Sequence, residues 1–193
     1  MKNNHKQSVR LTVRDIGKYG KGVFAGRDIQ KKEFIHTLDG PQVSLKQLVA
    51  RVLAGKEDIN DPLQVGRRTY VDLDKISRIF NHSCNPSAGV RKRSELFALR
   101  DIKKGEQITY NYSMTIAPTE WEMKCLCGSQ NCRKIIHDVR SVPKAERHIY
   151  LRVGAVQRYM KPIIRSLDRG TYTMPRYEVL ALERLGEHKY HVD

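Results

Sequence analysis

The most informative stretch of the sequence runs from Arg78 to Pro86 and reads Arg-Ile-Phe-Asn-His-Ser-Cys-Asn-Pro. It contains Cys84, which is one of four cysteines in the chain. The other three crowd a single later loop, at Cys125, Cys127 and Cys132. Four thiolates in this arrangement are typical of a tetrahedral zinc site of the closed, structural kind, which keeps no open position for a reacting water. We therefore expect one metal ion that ties a distal loop to a core segment and performs no chemistry itself.

Disulfides and free thiols are the alternative interpretations of these cysteines. Cys125 and Cys127 flank Leu126. The Cβ atoms of residues two apart in an extended segment do not converge to bonding distance, so a bridge between these two is not expected. Two long-range disulfides remain open. However, the chain shows no charged n-region followed by an apolar h-region, so nothing in it indicates export to an oxidising compartment.

Length and charge bound the class of protein. With 193 residues, the chain is expected to form one domain with a helical appendage. No segment approaches the roughly 18 uninterrupted apolar residues of a membrane span, so no membrane partner is expected. Lys and Arg outnumber Asp and Glu by 36 to 21, for a formal charge of +15. This balance favours association with nucleic acid or an acidic surface, but it is also typical of solvated faces, and both interpretations stay open.

Short strands with turn punctuation dominate the chain up to the cysteine loop. We predict strands at residues 9–13, 34–38, 68–73, 87–90, 95–100 and 107–112. Ser44 is expected to cap a helix whose apolar positions from Leu45 to Leu53 share one face, and Gly55 is expected to end it. Because no long crossover helices separate the strands, the predicted fold class is α+β, mainly β, with mixed or antiparallel sheets.

Beyond the cysteine loop the composition shifts towards helix. Pro143 can open one helix that runs to Val153. A second, shorter helix is predicted from Tyr177 to Leu185. Both are expected to be packing elements, with a partner surface as the alternative.

Four motifs together resemble the SET-domain protein-lysine methyltransferases that carry a post-SET zinc loop. They are Gly-Lys-Gly-Val-Phe-Ala at 20–25, the stretch at 78–86, Gly-Glu-Gln-Ile-Thr-Tyr-Asn-Tyr at 105–112 and Cys-Leu-Cys-Gly-Ser-Gln-Asn-Cys-Arg at 125–133. Their order and spacing match that family over residues 9–137. Two positions depart from it, since Ser87 stands where an asparagine is usual and Asn111 where an acidic residue is common. Neither position carries the methyl-transfer chemistry.

The resemblance implies a fold and a division of the chain. The fold would be a SET-type arrangement of small β-sheets with a threaded, pseudoknot-like segment. The implied parts are a mobile N-terminus at 1–8, a SET domain at 9–114, a post-SET zinc loop at 115–137 and a helical C-terminal extension at 138–193.

The resemblance also implies S-adenosylmethionine as methyl donor and a lysine of a protein as acceptor. By the same resemblance the donor would be held by Tyr19, Gly20, Lys21, Gly22, Asn81, His82, Tyr112 and Leu126. Gly20 and Gly22 would allow close approach of the donor, because they carry no side chain. Asn81 and His82 would contact it through main-chain and amide groups, although His82 is alternatively a satisfied core histidine. Leu126 would lie against the adenine.

The chemistry requires an uncharged amine. A free lysine has a pKa of about 10.4, so only about one in a few thousand is neutral at pH 7. A dry channel that ends at a positive sulfonium disfavours the ammonium through both desolvation and like charge. The resemblance implies that Tyr112 aligns the amine with the donor. Tyr110, on the same face of the predicted strand, would restrict the space around the amine, so we predict mainly monomethylation.

The identity of the acceptor is open, since histones, ribosomal proteins and nucleoid-associated proteins are all compatible. Four acids lie near the segment that by resemblance lines the substrate side, namely Asp58, Asp61, Asp72 and Asp74. They either receive a basic tail or are simply solvated. The cytoplasm is the expected compartment, with chromatin or delivery into another cell as alternatives. The competing function is a basic, zinc-stabilised module that binds nucleic acid or protein without catalysis.

Overall fold

Small antiparallel sheets make up most of the regular structure. The computed structural model describes residues 9–17, 20–59 and 61–189, so the segment at 1–8 that was expected to be mobile, and Tyr19, lie outside the described residues. Within these ranges the chain forms ten strands in four sheets, together with four α-helices. All strand pairs are antiparallel. The predicted α+β, mainly β class is therefore confirmed.

The strands are β1 Leu11–Asp15, β2 Lys21–Ala25, β3 Phe34–Thr37, β4 Gln42–Ser44, β5 Leu63–Gly66, β6 Thr69–Val71, β7 Ala88–Arg91, β8 Glu95–Ala98, β9 Glu122–Lys124 and β10 Ile135–His137. The helices are α1 Leu45–Leu53, α2 Lys144–Val153, α3 Met160–Asp168 and α4 Arg176–Lys189. Short 3-10 turns occupy Ser77–Ile79, Tyr112–Thr115 and Val139–Ser141. The sheets have the strand orders β1-β2, β3-β8-β7, β4-β6-β5 and β10-β9.

Helix α1 begins as the sequence predicts. The Ser44 side chain accepts a hydrogen bond from the Gln47 backbone N–H at 3.3 Å, and the Gln47 side chain accepts one from the Ser44 N–H at 2.9 Å. This capping box satisfies two of the backbone donors that a helix start leaves open. Leu48 and Val49 are the buried residues of α1. Gly55, just past the end, has φ +64°, a conformation that glycine adopts without strain.

The C-terminal helices share a hydrophobic core with the sheets. Ile163 and Ile164 of α3 and Tyr150 of α2 are buried in one cluster with Phe97 of β8 and Met114. Burial of this kind contributes about 1.5–3 kcal/mol for each large apolar side chain. The helices α2 and α3 of the C-terminal part therefore pack onto the sheets and share their core.

The segment after Gly105 is not a strand, although a strand was predicted at 107–112. It forms isolated bridges, with Gln107 paired to Phe24 and Tyr110 paired to His82. Ile108 donates to the Val23 carbonyl at 2.8 Å, whereas Tyr110 donates to the Asn81 carbonyl at 3.1 Å. Because Ile108 and Tyr110 bond to different neighbouring segments, no continuous ladder forms. The segment thus runs between β2 and the Phe80–Cys84 stretch and holds both.

Six elements were not predicted from the sequence, namely the strands β2, β4, β5, β9 and β10 and the helix α3. Strand β2 occupies the glycine-rich stretch, where only turns were expected, and its Val23 and Ala25 are fully buried. Helix α3 begins at Met160 and contains Pro162 in its first turn, where proline is tolerated because the N–H it lacks would have no helical partner. None of the helices within the described part of the chain is long and apolar enough to cross a lipid bilayer.

Candidate active site and four-cysteine cluster

The four cysteines meet in one cluster. Their sulfur atoms all lie within 4.8 Å of one another, and Cys84 Sγ is 3.8 Å from Cys125 Sγ. All four are free thiols, so the disulfide alternative does not apply in this structure. A zinc ion bound to four thiolates at about 2.3 Å separates the sulfurs by roughly 3.8 Å. The cluster therefore has the donor set and the spacing that such an ion requires.

The cluster also carries hydrogen bonds that favour thiolates. The Arg133 backbone N–H donates to Cys84 Sγ at 3.4 Å, and the Cys84 N–H donates to Cys127 Sγ at 3.5 Å. Although burial opposes it, the bonds from the Cys84 backbone and from Ser129 lower the pKa of Cys127 to about 6. Burial raises the pKa of Cys125. Metal ions bind the deprotonated form of such thiols. A bound ion would therefore stabilise the folded cluster, and the preformed cluster would favour binding of the ion.

A second group of side chains lies beside this cluster. The ring centroids of Tyr110 and Tyr112 are 4.8 Å apart, and the His82 ring is 5.4 Å from that of Tyr112. The Tyr112 hydroxyl donates to the Phe80 carbonyl at 2.7 Å. Burial raises the pKa of both tyrosines, so their hydroxyls stay neutral at physiological pH. The two residues that the resemblance assigns to methyl transfer are thus brought together.

The rings meet for a different reason from the one expected. Tyr110 ends the bridged segment, and Tyr112 begins the 3-10 turn Tyr112–Thr115, so the alternation of a strand does not place them. The ring contact depends instead on the bond between Tyr112 and Phe80 and on a bond from the Tyr112 N–H to His82 Nδ1 at 3.1 Å.

His82 connects the tyrosines to the cysteines. Burial and the nearby charge of Arg133 lower its pKa to about 4, so the ring is neutral at pH 7. Its Nδ1 accepts the bond from Tyr112, which assigns the proton to Nε2, 3.4 Å from Cys84 Sγ. Both ring nitrogens are therefore satisfied, as the core-histidine alternative expected. Any contact between His82 and a cofactor would have to use its main chain.

Some of the residues expected to hold the donor lie next to one another. Asn81 Nδ2 donates to the Lys21 carbonyl at 2.9 Å. A Cβ added to Gly22 would lie 2.4 Å from Gln107 Nε2 and 3.3 Å from Asn81 Nδ2, so the missing side chain at Gly22 accommodates protein groups. Gly20 has φ +77° and open space around the position of a Cβ. The space beside Gly20 is therefore open to a ligand, whereas the space beside Gly22 is occupied by Gln107 and Asn81 side chains that a ligand would also meet.

Tyr19, which is expected to contact the donor, lies outside the described residues. Leu126, which is expected to lie against the adenine, is part of the cysteine loop. Leu126 is 55% exposed. It leaves an apolar surface uncovered at the edge of the cluster.

The four acids predicted near the substrate side do not form an open acidic patch. Arg78 binds the carboxylates of both Asp61 and Asp72, and Arg51 also pairs with Asp72 at 3.1 Å. Asp74 accepts from the Ser77 backbone N–H at 2.7 Å and so caps the turn that follows it. Asp61 and Asp72 are therefore paired with arginines of the same domain, and Asp74 is hydrogen-bonded to the backbone.

Sequence reasoning missed a buried polar link between the cysteine loop and the tyrosines. The Arg133 guanidinium donates to Asn111 Oδ1 at 2.9 Å, and Asn111 Nδ2 donates to Glu146 Oε1 of α2 at 3.4 Å. Asn111 is 2% exposed and directly precedes Tyr112. The only signal in the sequence was the missing acid at position 111, because no motif points to a carboxylate on α2.

Comparisons with known proteins agree with this geometry. A sequence profile described as "SET domain" matches residues 20–113. A variant-silencing SET domain-containing protein of Plasmodium falciparum is 35% identical over 139 residues, which are 63% of this chain and 5% of that protein. A probable histone-lysine N-methyltransferase, set-23 of Caenorhabditis briggsae, is 28% identical over 66% of this chain and 60% of its own length. The histone-lysine N-methyltransferase ASHR3 of Arabidopsis thaliana is 31% identical over 76% of this chain and 32% of its own.

Solved structures show the same fold. The methyltransferase domain of human histone-lysine N-methyltransferase SETMAR superposes with a TM-score of 0.54 at 24% identity, over 68% of this chain and 59% of that one. KRYPTONITE, solved in complex with mCHG DNA and SAH, gives a TM-score of 0.54 at 20% identity, over 67% of this chain and 29% of that one. The chain thus spans between 5% and 60% of the length of the relatives and structures named here.

Proposed function

Because residues 20–113 of this chain are a SET domain, we propose that the protein transfers a methyl group from S-adenosylmethionine to the side-chain amine of a lysine in a protein. The observation that carries this proposal is the contact of Tyr110 with Tyr112, 4.8 Å between ring centroids, directly beside the four-cysteine cluster. Relatives named as histone-lysine N-methyltransferases support the same reaction. For the chain as a whole we propose a SET domain at 9–114, a post-SET loop at 115–137 and a helical extension at 138–193.

The two tyrosines suit an acceptor that arrives uncharged. When bound, S-adenosylmethionine supplies an electrophilic methyl group on a positive sulfonium. The Tyr112 hydroxyl already donates its proton to the Phe80 carbonyl, so its oxygen lone pairs are left to accept a hydrogen bond from a lysine amine. This bond fixes the direction of the nitrogen lone pair, and orientation of this kind contributes much of the acceleration in such reactions.

The site contains no strong base at the tyrosines. Both hydroxyls are held neutral by burial, and the pKa of the His82 imidazole is lowered to about 4 with both nitrogens bonded. The lysine therefore has to lose its proton to solvent before or during entry. Exclusion of water then keeps the amine neutral, because desolvation disfavours the ammonium form.

Tyr110 is proposed to limit the reaction mainly to one methyl group. It is 6% exposed and packs against Tyr112, so its hydroxyl occupies space beside the place where the amine would lie. A second methyl group on the acceptor nitrogen would need that space. This proposal concerns the product and not the reaction type.

The cysteine cluster is proposed to hold one structural zinc ion through Cys84, Cys125, Cys127 and Cys132. The free thiols, the sulfur spacing and the N–H···S hydrogen bonds support it. Such an ion would supply no chemistry. It would fix Cys84 and, through the bond between His82 and Tyr112, the position of the catalytic turn.

The donor is proposed to contact Tyr19, Gly20, Lys21, Gly22, Asn81, His82, Tyr112 and Leu126. The open space at Gly20 and the link from Asn81 to Lys21 support this assignment. The exposed Leu126 side chain offers an apolar surface on which an adenine ring would be shielded from water. Loss of the metal would then also weaken donor binding.

The acceptor is proposed to be a basic, histone-like, ribosomal or nucleoid protein, with the cytoplasm as the predicted compartment and chromatin as the alternative. Incubation with labelled S-adenosylmethionine and a whole-cell lysate, followed by identification of the labelled band, tests the acceptor. Calorimetry with the donor, followed by the transfer assay, distinguishes an enzyme from an inactive scaffold. A nucleic-acid module without catalysis would instead bind nucleic acid with steep salt dependence and show no donor binding.

A further inference from the structure

A small pocket lies where α4 packs beside β5, β6 and the chain after Thr115. Its volume is about 120 Å³. Pockets for small-molecule ligands measure roughly 300–1,000 Å³, so this one suits a single side chain. Aromatic and aliphatic groups line most of it, including Tyr70, Trp121, Ile59 and Pro118. One carboxylate, that of Glu178 on α4, is also part of the lining.

Glu178 is an incompletely paired acid. Its Oε1 accepts from the Tyr177 hydroxyl at 3.1 Å, whereas its buried Oε2 lies near the Tyr172 hydroxyl but makes no hydrogen bond of ordinary geometry among the described residues. Burial raises its pKa, and the charges of Arg67 and Arg68 oppose that rise. Neither arginine forms an ion pair with it in the described part of the chain, and Arg68 lies over the Tyr177 ring, 3.8 Å from its centroid. A buried carboxylate oxygen without a partner is unfavourable, so a cation placed beside it would be stabilised.

The pocket lies close to the proposed methyl-transfer site along the chain. One wall comes from Ile59, Pro62, Gln64 and Tyr70, in the segment that the SET resemblance puts on the substrate side. Another comes from residues 116–119, which follow the turn Tyr112–Thr115. Gln64 Oε1 accepts from the Ala117 N–H at 3.0 Å and joins these two walls. A bound side chain would therefore belong to a segment near the acceptor lysine.

We propose that this pocket binds a second basic side chain, lysine or arginine, of the protein substrate, with its cationic end at Glu178 and its methylene groups against Tyr70 and Trp121. The assignment of the occupant to the substrate rests on the proposed function. Aromatic rings attract cations, and long basic side chains bury their methylenes readily. Asp61 and Asp72 are bound by Arg78, whereas Glu178 supplies a carboxylate inside the pocket that can attract a basic segment to this part of a protein of charge +15.

The pocket has its own spectroscopic probe, because Trp121 is the only tryptophan of the chain. N-acetyl-lysinamide and N-acetyl-argininamide should change the Trp121 fluorescence saturably, whereas the uncharged N-acetyl-norleucinamide should not. Glu178→Gln should weaken binding of the cationic probes at least tenfold. Glu183→Gln, an exposed acid on the same helix, is the matched control and should bind as the unchanged protein does. Ala181→Leu, which keeps the carboxylate but fills the pocket, should also abolish binding.

Three results would overturn the proposal: no saturable change with either cationic probe, an equal response to the norleucine derivative, or unchanged affinity in both Glu178→Gln and Ala181→Leu. Probe binding needs no methyl donor, so failure of methyl transfer would leave this test intact. With a basic peptide as substrate, Glu178→Gln should raise KM tenfold or more while kcat stays within about twofold, which is the signature of lost binding contacts. A fall in kcat with unchanged KM would assign Glu178 a structural role and contradict the proposal.

Discussion

The Arg133 guanidinium lies 2.9 Å from the side-chain oxygen of Asn111 and donates a hydrogen bond to it. The backbone of the same arginine donates to Cys84 Sγ, so one residue joins the cysteine cluster to the position before Tyr112. An aspartate at this position could accept from Arg133 equally well, but it could not donate to Glu146. The asparagine therefore fits a carboxylate supplied by α2, in place of the acid that is common at position 111 in the family.

The first prediction concerns moving the negative charge from position 146 to position 111. Asn111→Asp should lower the free energy of unfolding by about 1–3 kcal/mol, because the new buried carboxylate loses the bond to Glu146 and faces its charge. Glu146→Gln in the same chain should recover most of this loss, since a glutamine amide can donate to the introduced carboxylate. Chemical denaturation of the two single variants and the double variant gives the coupling energy. Strictly additive effects would show that Asn111 and Glu146 do not interact.

The second prediction concerns the product. Tyr110→Phe removes a hydroxyl from the space beside Tyr112 and should shift the main product from monomethyl-lysine to dimethyl- or trimethyl-lysine. Mass spectrometry of a methylated peptide at increasing times of reaction measures the distribution. Tyr159→Phe, which is outside the ring pair and loses a bond to the Thr115 carbonyl at 2.8 Å, is a control that should leave the distribution unchanged. A trimethylated main product from the unchanged protein would contradict the role given to Tyr110.

Metal content is the third prediction. The purified protein should contain one zinc ion per chain, and removal by a strong chelator should lower the thermal midpoint and weaken binding of S-adenosylmethionine. Cys132→Ser should have the same effects, because three thiolates and a hydroxyl bind zinc less tightly than four thiolates. Elemental analysis and calorimetry measure both quantities. If the metal-free protein bound S-adenosylmethionine with full affinity, the cysteine cluster would not support donor binding and the prediction would be wrong.

The fourth prediction is a pH dependence in the C-terminal helices. Asp168 of α3 pairs with Arg147 and His148 of α2, with His148 Nε2 at 2.9 Å. Although burial opposes it, these bonds hold the pKa of Asp168 below its ordinary value. A lowered acid pKa means stability that is present above about pH 3.8 and is lost as the pH falls through the folded value. Asp168→Asn should lower the thermal midpoint at pH 7, and the difference from the unchanged protein should shrink at pH 3. A constant difference over that range would exclude the linkage.

Local signals in the sequence predicted local structure well. Ser44 begins α1 because its side chain bonds within the same turn, and the spacing of the cysteines indicates a cluster because three of the four lie within one short loop. The strand predicted at 107–112 failed because Ile108 and Tyr110 bond to different segments on either side. No window of sequence contains those partners.

Charged side chains were the hardest to predict. The sequence leaves open whether the acids near the substrate side receive a basic tail or are solvated. In the structure Asp61 and Asp72 are bound by Arg78, and among the described residues a buried carboxylate oxygen without a hydrogen bond belongs to Glu178 on α4. Arg78 is six positions from Asp72 and 17 from Asp61, and charge alone does not specify which of several nearby acids an arginine binds. Glu146 illustrates the same point, because only the fold brings α2 to Asn111.

The central claim is that Tyr112 aligns an uncharged lysine with a methyl donor, and Tyr112→Phe tests it most directly. Removal of the hydroxyl should lower kcat at least about 100-fold, as loss of a preorganised hydrogen-bonding group does in other sites, with the fold intact. Tyr172→Phe, which removes a buried hydroxyl that has no partner among the described residues, is the matched control and should retain activity. Transfer of labelled methyl from S-adenosylmethionine to a basic protein mixture is the measurement. We predict labelled lysine with the unchanged protein and with Tyr172→Phe, and background with Tyr112→Phe; equal labelling by Tyr112→Phe, or none by the zinc-loaded unchanged protein, would contradict the account.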